Sequence, residues 1–285
     1  MNGEAQAHYE AGLYLQAQER FEEAIAEFDR AIRLDRKLVA AYNKRGDAYF
    51  TLGQVKRAAK DYDQALRLDR QSTHAYVHRG STHLILGKPK RALEDLDRAI
   101  SIDPGLATAY RIRGSAYAQL GNYERAIQDY DQAINLDPTE APSYLNRGNA
   151  VVNMRGHLGL EQAIGDYDEA LRLDPHHDLA YMNRGKAYLE LGRFERALRT
   201  FTGDDVRSDR PEPEYFQLAL QDLNRPVRLA PKASAAYAVR AGVFAVLGRD
   251  AEAQMDVRRA VDLGVNRAAL EQQINEAKEL ATPLE

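Results

Sequence analysis

Two histidines one helical turn apart, His74 and His78, come nearest to a metal-ligand pair in this sequence. At i and i+4 both imidazoles reach the same side of a helix, a spacing that lets two rings share one cation. Between them lie Ala75, Tyr76 and Val77, with no Glu placed as a general base and no third ligand nearby in sequence. The pair therefore reads as two partly solvated side chains, and the sequence implies no metal and no cofactor. His176-His177 follows Pro175 and reads as a solvated corner. Carboxylate pairs such as Asp61 with Asp63 recur along the chain, which marks them as structural rather than as one catalytic dyad. No Gly-Lys-Ser/Thr closes a phosphate-cradling loop, no nucleophile signature is present, and there is no cysteine. The chain reads as non-enzymatic.

The elements that hold these side chains announce themselves by period. Gly12, Gly46, Gly80, Gly114 and Gly148 stand 34 residues apart, and Ala24, Ala58, Ala92 and Ala126 keep the same interval. Such self-similarity is the mark of one small unit stacked many times, each burying its apolar face against its neighbours. From Ala107 onward, Tyr110, Gly114, Tyr117 and Leu120 recur at helical spacing. Gly121-Asn122 then interrupts, and Tyr123, Ala126, Ile127, Tyr130, Ala133 and Ile134 begin a second stripe that Pro138 closes. Each unit is thus a hairpin of two amphipathic helices, with Pro89 in the first turn of a second helix, where its missing N–H is harmless. Gly114 and Ala126 mark the closest approach of the two helices. Tyr42, Tyr76, Tyr110, Tyr144, Tyr181 and Tyr237 are expected to fill the holes left by the small residues. Arg45, Arg79, Arg113, Arg147, Arg184 and Arg240 precede the small residue of their units, and Asp61, Asp95, Asp129 and Asp166 recur on the second helices. They predict a ladder of exposed ion pairs, each worth about 0–1 kcal/mol. An anion track along the arginines is the alternative.

The pattern Tyr110, Gly114, Tyr117, Leu120, Gly121, Ala126, Tyr130, Ala133 and Pro138 resembles the tetratricopeptide repeat, with Tyr where that family favours Trp. The likeness runs from about Ala5 to Leu263 and implies an all-α, right-handed superhelical solenoid whose first helices line a concave groove. The repeats are expected at 5–38, 39–72, 73–106, 107–140, 141–177 and 178–203, the fifth carrying a three-residue insertion between Asn153 and Leu160. A degenerate repeat at 204–232 is expected to have lost most of its first helix to a charged, Pro-containing loop spanning 203–213, where a partner could enter. Within it, Pro226 predicts a kink near Asn224. A final repeat at 233–265 and a capping helix at 266–281 complete the array. One subgroup of the family clamps C-terminal carboxylates with basic and Asn residues on three helices. Here Arg111 is followed by Ser115 rather than Asn, and Leu179 and Asn183 stand where two basic residues belong, so the clamp is absent.

Packing leaves over a set of polar side chains on the first helices: Asn43, Asp47, His74, His78, Ser81, Arg111, Ser115, Asn146, Asn149, Asn153, Asn183 and Lys186. Asn is a poor helix former, so its recurrence asks for a reason, and amides both donate to and accept from an extended peptide backbone. The expected function is a protein-interaction scaffold that binds a partner peptide or helix. The alternatives are nucleic-acid or anion binding through the arginines, and a regulatory subunit of a separately encoded enzyme. A formal net charge of -4 disfavours nucleic acid. The longest apolar run, Val243 to Leu247, is far too short to span a membrane, and the first ten residues do not read as a signal peptide, so the expected location is cytoplasmic. An imperfect end cap would leave an apolar face open to homo-oligomerisation through the ends of the array.

Overall fold

The structure, a computed structural model, describes residues 3–202 and 212–279. Every regular element among them is helical. The chain divides into two compact units, one ending at Pro138 and the other beginning at Thr139.

The first unit holds four hairpins: α1 Gly3–Ala17 with α2 Phe21–Leu34, α3 Val39–Thr51 with α4 Val55–Leu68, α5 Thr73–Ile85 with α6 Pro89–Ile102, and α7 Ala107–Gln119 with α8 Tyr123–Leu136. α2, α4 and α6 each also pack on the first helix of the next hairpin, and α3, α5 and α7 lie side by side. The glycine of each first helix is required by a ring or branched side chain on its partner. A Cβ built on Gly46 would lie 2.7 Å from Tyr62, on Gly80 3.0 Å from Leu96, and on Gly114 2.8 Å from Tyr130 and 3.1 Å from the Ala126 carbonyl. The second-helix residue therefore fills the hole. The first-helix tyrosines, expected to do so, lie beneath the arginines instead: Arg45 caps Tyr42 at 5.7 Å, Arg79 caps Tyr76 at 5.8 Å and Arg113 caps Tyr110 at 5.3 Å. Ala58, Ala92 and Ala126 are fully buried, as their period predicts.

In the second unit, α9 Ala141–Arg155 runs into a 3₁₀ turn at Gly156–Gly159 before α10 Leu160–Leu173. The next stretch departs from expectation. Leu191-Gly192 resembles the turns at Leu86-Gly87 and Leu120-Gly121, yet α11 runs unbroken from Asp178 to Thr202. Its hairpin partner is α12 Glu212–Leu229: Gly185 faces Leu223, Gly192 faces Phe216, and Arg184 holds Asp222. What reads in sequence as the second helix of one repeat and the remnant of another is thus a long first helix and one second helix. Of the expected loop over 203–213, residues 203–211 lie outside the described residues, while Glu212 and Pro213 belong to α12. Pro226 sits inside α12, which continues to Leu229. Then follow α13 Ser234–Val246 and α14 Asp250–Asp262, and α15 Arg267–Glu279 buries Leu270 and Ile274 against that pair.

The hairpin turns set a sign test. Gly53, Gly87, Gly121 and Gly248 all adopt φ near +70°, but the first hairpin has Glu19 at φ 60° in the same register. A side chain there strains the backbone by about 1–2 kcal/mol. Glu19→Gly should therefore raise the urea midpoint, by up to about 1 kcal/mol after the entropy glycine loses on folding. Gly114→Ala, with the ring of Tyr130 in its way, should lower it by about 1–3 kcal/mol.

Candidate functional site

The side chains that the sequence assigns to a binding surface lie on α3, α5 and α7 in the first unit and on α9 and α11 in the second. Geometry divides them into those consumed by the fold and those left to act. Asp47, Ser115 and Asn149 each follow the packing glycine of their helix by one residue. Each meets the hydroxyl of the tyrosine that occupies the glycine's notch: Tyr62 donates to Asp47 Oδ1 at 2.9 Å, Tyr130 lies 3.2 Å from Ser115 Oγ, and Tyr167 donates to Asn149 Oδ1 at 2.8 Å. The ring is buried while its hydroxyl reaches the polar column. Ser81 stands opposite Leu96, which brings no hydroxyl. This coupling was present in the sequence as the change from Tyr62 to Leu96 to Tyr130, a signal that the glycine period alone does not convey.

In the first unit, Asn43 Nδ2 approaches Ser72 Oγ at 3.4 Å, beside the serine's cap on the Ala75 N–H. Asn43 Oδ1 is buried with no partner. Ser115 Oγ donates to the Arg111 carbonyl at 3.1 Å, and Arg111 itself is half-buried. His74 and His78 come together as the helical spacing predicts, ring centroids 4.1 Å apart, and His74 Nε2 lies 2.9 Å from Asp47 Oδ1. The third group that sequence proximity did not supply is therefore Asp47, brought across from α3. Lys44 Nζ donates to its other oxygen at 3.1 Å. Burial would raise the Asp47 carboxyl, but the hydrogen bond and charge of His74, then the charges of His78 and Lys44, bring it down to about 2. Burial, and next the charge of His74, lower His78.

In the second unit, Asn149 Oδ1 also accepts from Asn183 Nδ2 at 2.8 Å, and Asn153 Nδ2 donates to the Asn149 carbonyl at 2.7 Å. Asn149, Asn153, Asn183 and the exposed Lys186 line an open depression of about 360 Å³ floored by Val152, Leu160, Tyr167 and Ala187. Asn146 is half-buried on α9 and is not among its lining residues. A second depression, of about 410 Å³, gathers Tyr181, Arg184, Asn224, Arg225 and Arg228, of which the sequence reading gives Tyr181 a packing role and Arg184 a place in the ion-pair ladder.

The arginine ladder is more deeply set than the sequence suggests. Arg45 grips Asp61 with two bonds of 2.8 and 2.6 Å and reaches back to Asp29 of the preceding hairpin at 2.5 Å. Arg79 does the same with Asp95 and Asp63, Arg113 with Asp129 and Asp97, and Arg184 with Asp222 and Asp168. The bidentate aspartates are buried, 5% exposed at Asp61 and 3% at Asp222, so these are not exposed surface pairs. Burial outweighs the guanidinium's pull and raises the carboxyls of Asp61 and Asp222. In Arg45, Arg79 and Arg184 burial works to lower the pKa, and two carboxylates outweigh it, so each arginine keeps its proton. Guanidiniums engaged in this way have little to offer a phosphate.

Family models described as tetratricopeptide repeat match residues 3–76 and 73–106, and one described as TPR repeat matches 114–154 and 160–192. No curated protein sequence matches the chain. Several solved structures resemble it. A tetratricopeptide repeat protein from Parabacteroides merdae ATCC 43184 is 16% identical, covers 96% of this chain and 99% of its own, and gives a TM-score of 0.65. MamA 41-end from Desulfovibrio magneticus RS-1 is 24% identical over 62% of this chain and 99% of its own, with a TM-score of 0.55. A chain of the APC/C hetero-tetramer Cut9-Hcn1 is 14% identical over 93% of this chain and 48% of its own, with a TM-score of 0.71. At these identities the likeness is one of fold.

The two arms of each arginine should differ in worth. Arg113→Ala leaves the buried Asp129 without its cation and should cost about 2–4 kcal/mol. Asp97→Ala removes only the arm whose carboxylate is 56% exposed and should cost less than about 1 kcal/mol. Urea midpoints of the two variants check the contrast, and equal losses would contradict it.

Proposed function

The chain belongs to the tetratricopeptide repeat family, and on that premise we propose that it is a non-enzymatic scaffold that holds a partner peptide or helix against its first helices. The observation that carries this reading is the convergence of Asn149, Asn153, Asn183 and Lys186 on one open depression with an apolar floor. Amides that present both N–H and C=O beside Val152 and Leu160 suit a peptide: the polar rim bonds its backbone while the floor takes an apolar side chain. Asn149 and Asn183 are fixed by their mutual bond and by Tyr167, so they meet a ligand already oriented. The half-buried polar side chains Asn43, Ser81, Arg111 and Ser115 offer a comparable face on the first unit. Asn146 belongs to the proposed surface as a flanking residue. Family members as a class act as protein-interaction scaffolds, which supports the same conclusion, and among the described residues no helix is long and apolar enough to cross a membrane.

The test pairs a binding measurement with a folding control. Once a partner peptide is identified by affinity capture, Asn153→Ala combined with Asn183→Ala should weaken it about 10-fold. Asn149 keeps the Tyr167 hydroxyl in that variant, so the melting temperature should fall by less than about 4 °C. Undiminished binding by the folded double variant would remove the depression from the partner's path.

A further inference from the structure

His74 and His78 lack a third ligand in sequence, but the fold supplies one from 27 residues upstream. Asp47, His74 and His78 each offer one ligand atom, and the three atoms lie within 4.8 Å of one another. His74 Nε2 stands 2.9 Å and His78 Nδ1 3.9 Å from the same oxygen, Asp47 Oδ1. Around a four-coordinate zinc ion with bonds of ~2.0–2.1 Å, neighbouring donors are about 3.3 Å apart. The distances to Asp47 already bracket that spacing.

We propose that Asp47, His74 and His78 bind one divalent late-transition cation, zinc above all, joining α3 of one hairpin to α5 of the next. Two imidazoles with one carboxylate suit zinc, whereas calcium and magnesium ask for an all-oxygen shell. Three protein ligands leave a coordination position open, and the histidine side chains, 35% and 39% exposed, leave water a route to it. The carboxylate is held ready from behind, since the buried Tyr62 donates to Asp47 Oδ1 at 2.9 Å, the kind of outer-shell bond that orients a ligand. Lys44, on the other carboxylate oxygen, opposes a cation. Its side chain is 36% exposed, so it can turn into water when the ion enters. The site stands independently of peptide binding in the second unit.

Isothermal titration of the full, tag-free, metal-stripped chain with zinc chloride tests the assignment, with cobalt(II) as a spectroscopic probe. The expected result is one high-affinity equivalent, with the intense visible bands of four-coordinate cobalt. His78→Ala and Asp47→Asn should each weaken zinc by more than the roughly 10–100-fold typical of losing an outer-shell partner. Tyr62→Phe should weaken it within that range, and Lys44→Gln should strengthen it. A His176→Ala/His177→Ala variant should bind as the parent does, and circular dichroism should show equal helicity throughout. Asp47→Asn binding zinc as tightly as the parent would reduce the site to a two-histidine contact and overturn the proposal. So would loss of binding in the His176/His177 variant, or octahedral cobalt bands.

Discussion

In each hairpin from α1/α2 to α11/α12 the structure hangs on how closely the first helix can approach the second, and that distance is set by a missing side chain. Where Gly114 faces Tyr130, the space of one methyl group is occupied by ring. The same substitution of ring for Cβ occurs at Gly46 with Tyr62 and Gly148 with Tyr167. Because the helices cross at that notch, the arginine one residue before the glycine falls within two-bond reach of the aspartate one residue before the ring. The residue one after the glycine meets the tyrosine hydroxyl. Packing, ion pairing and the polar column are therefore three consequences of one crossing, read off three successive residues. The arginine's third nitrogen then reaches the preceding hairpin at Asp63 or Asp97, so the crossing within a hairpin also sets the register between hairpins.

This explains what could be read from the sequence and what could not. The glycine period, the closing prolines and the alanine stripe specify hairpins because those residues are forced by local geometry, and each hairpin repeats it. The partner of each glycine is not specified by the pattern, because the first-helix tyrosines have the same period as the second-helix ones. Period alone cannot say which ring enters the notch. The six arginines resolve it, since a guanidinium over Tyr42, Tyr76 or Tyr110 leaves that ring no freedom to reach the glycine. Likewise the Leu-Gly of the sixth hairpin imitates a turn. Gly192 is used there as a second packing glycine against Phe216, about two helical turns beyond the Gly185 notch, and the helix continues through it.

The candidate sites were half legible for a related reason. Which side chains face outward follows from periodicity, and most of the residues assigned to the surface are neither buried nor fully exposed. Which of them touch depends on stacking between hairpins, and that relation is regular too. Asp47 and His78 are 31 residues apart, and Asn149 and Asn183 are 34 apart, or 31 once the three-residue insertion is removed. The same two neighbouring positions thus hold a carboxylate beside an imidazole in the first unit and a pair of amides in the second. In both, a tyrosine from below fixes the first member, Tyr62 under Asp47 and Tyr167 under Asn149. The α3–α5 and α9–α11 interfaces therefore each offer one pre-oriented two-residue seat, and its chemistry is written by side chains from neighbouring hairpins rather than by any contiguous motif. No third ligand stands beside His74 and His78 along their own helix, because the fold delivers it from the corresponding seat of the hairpin before.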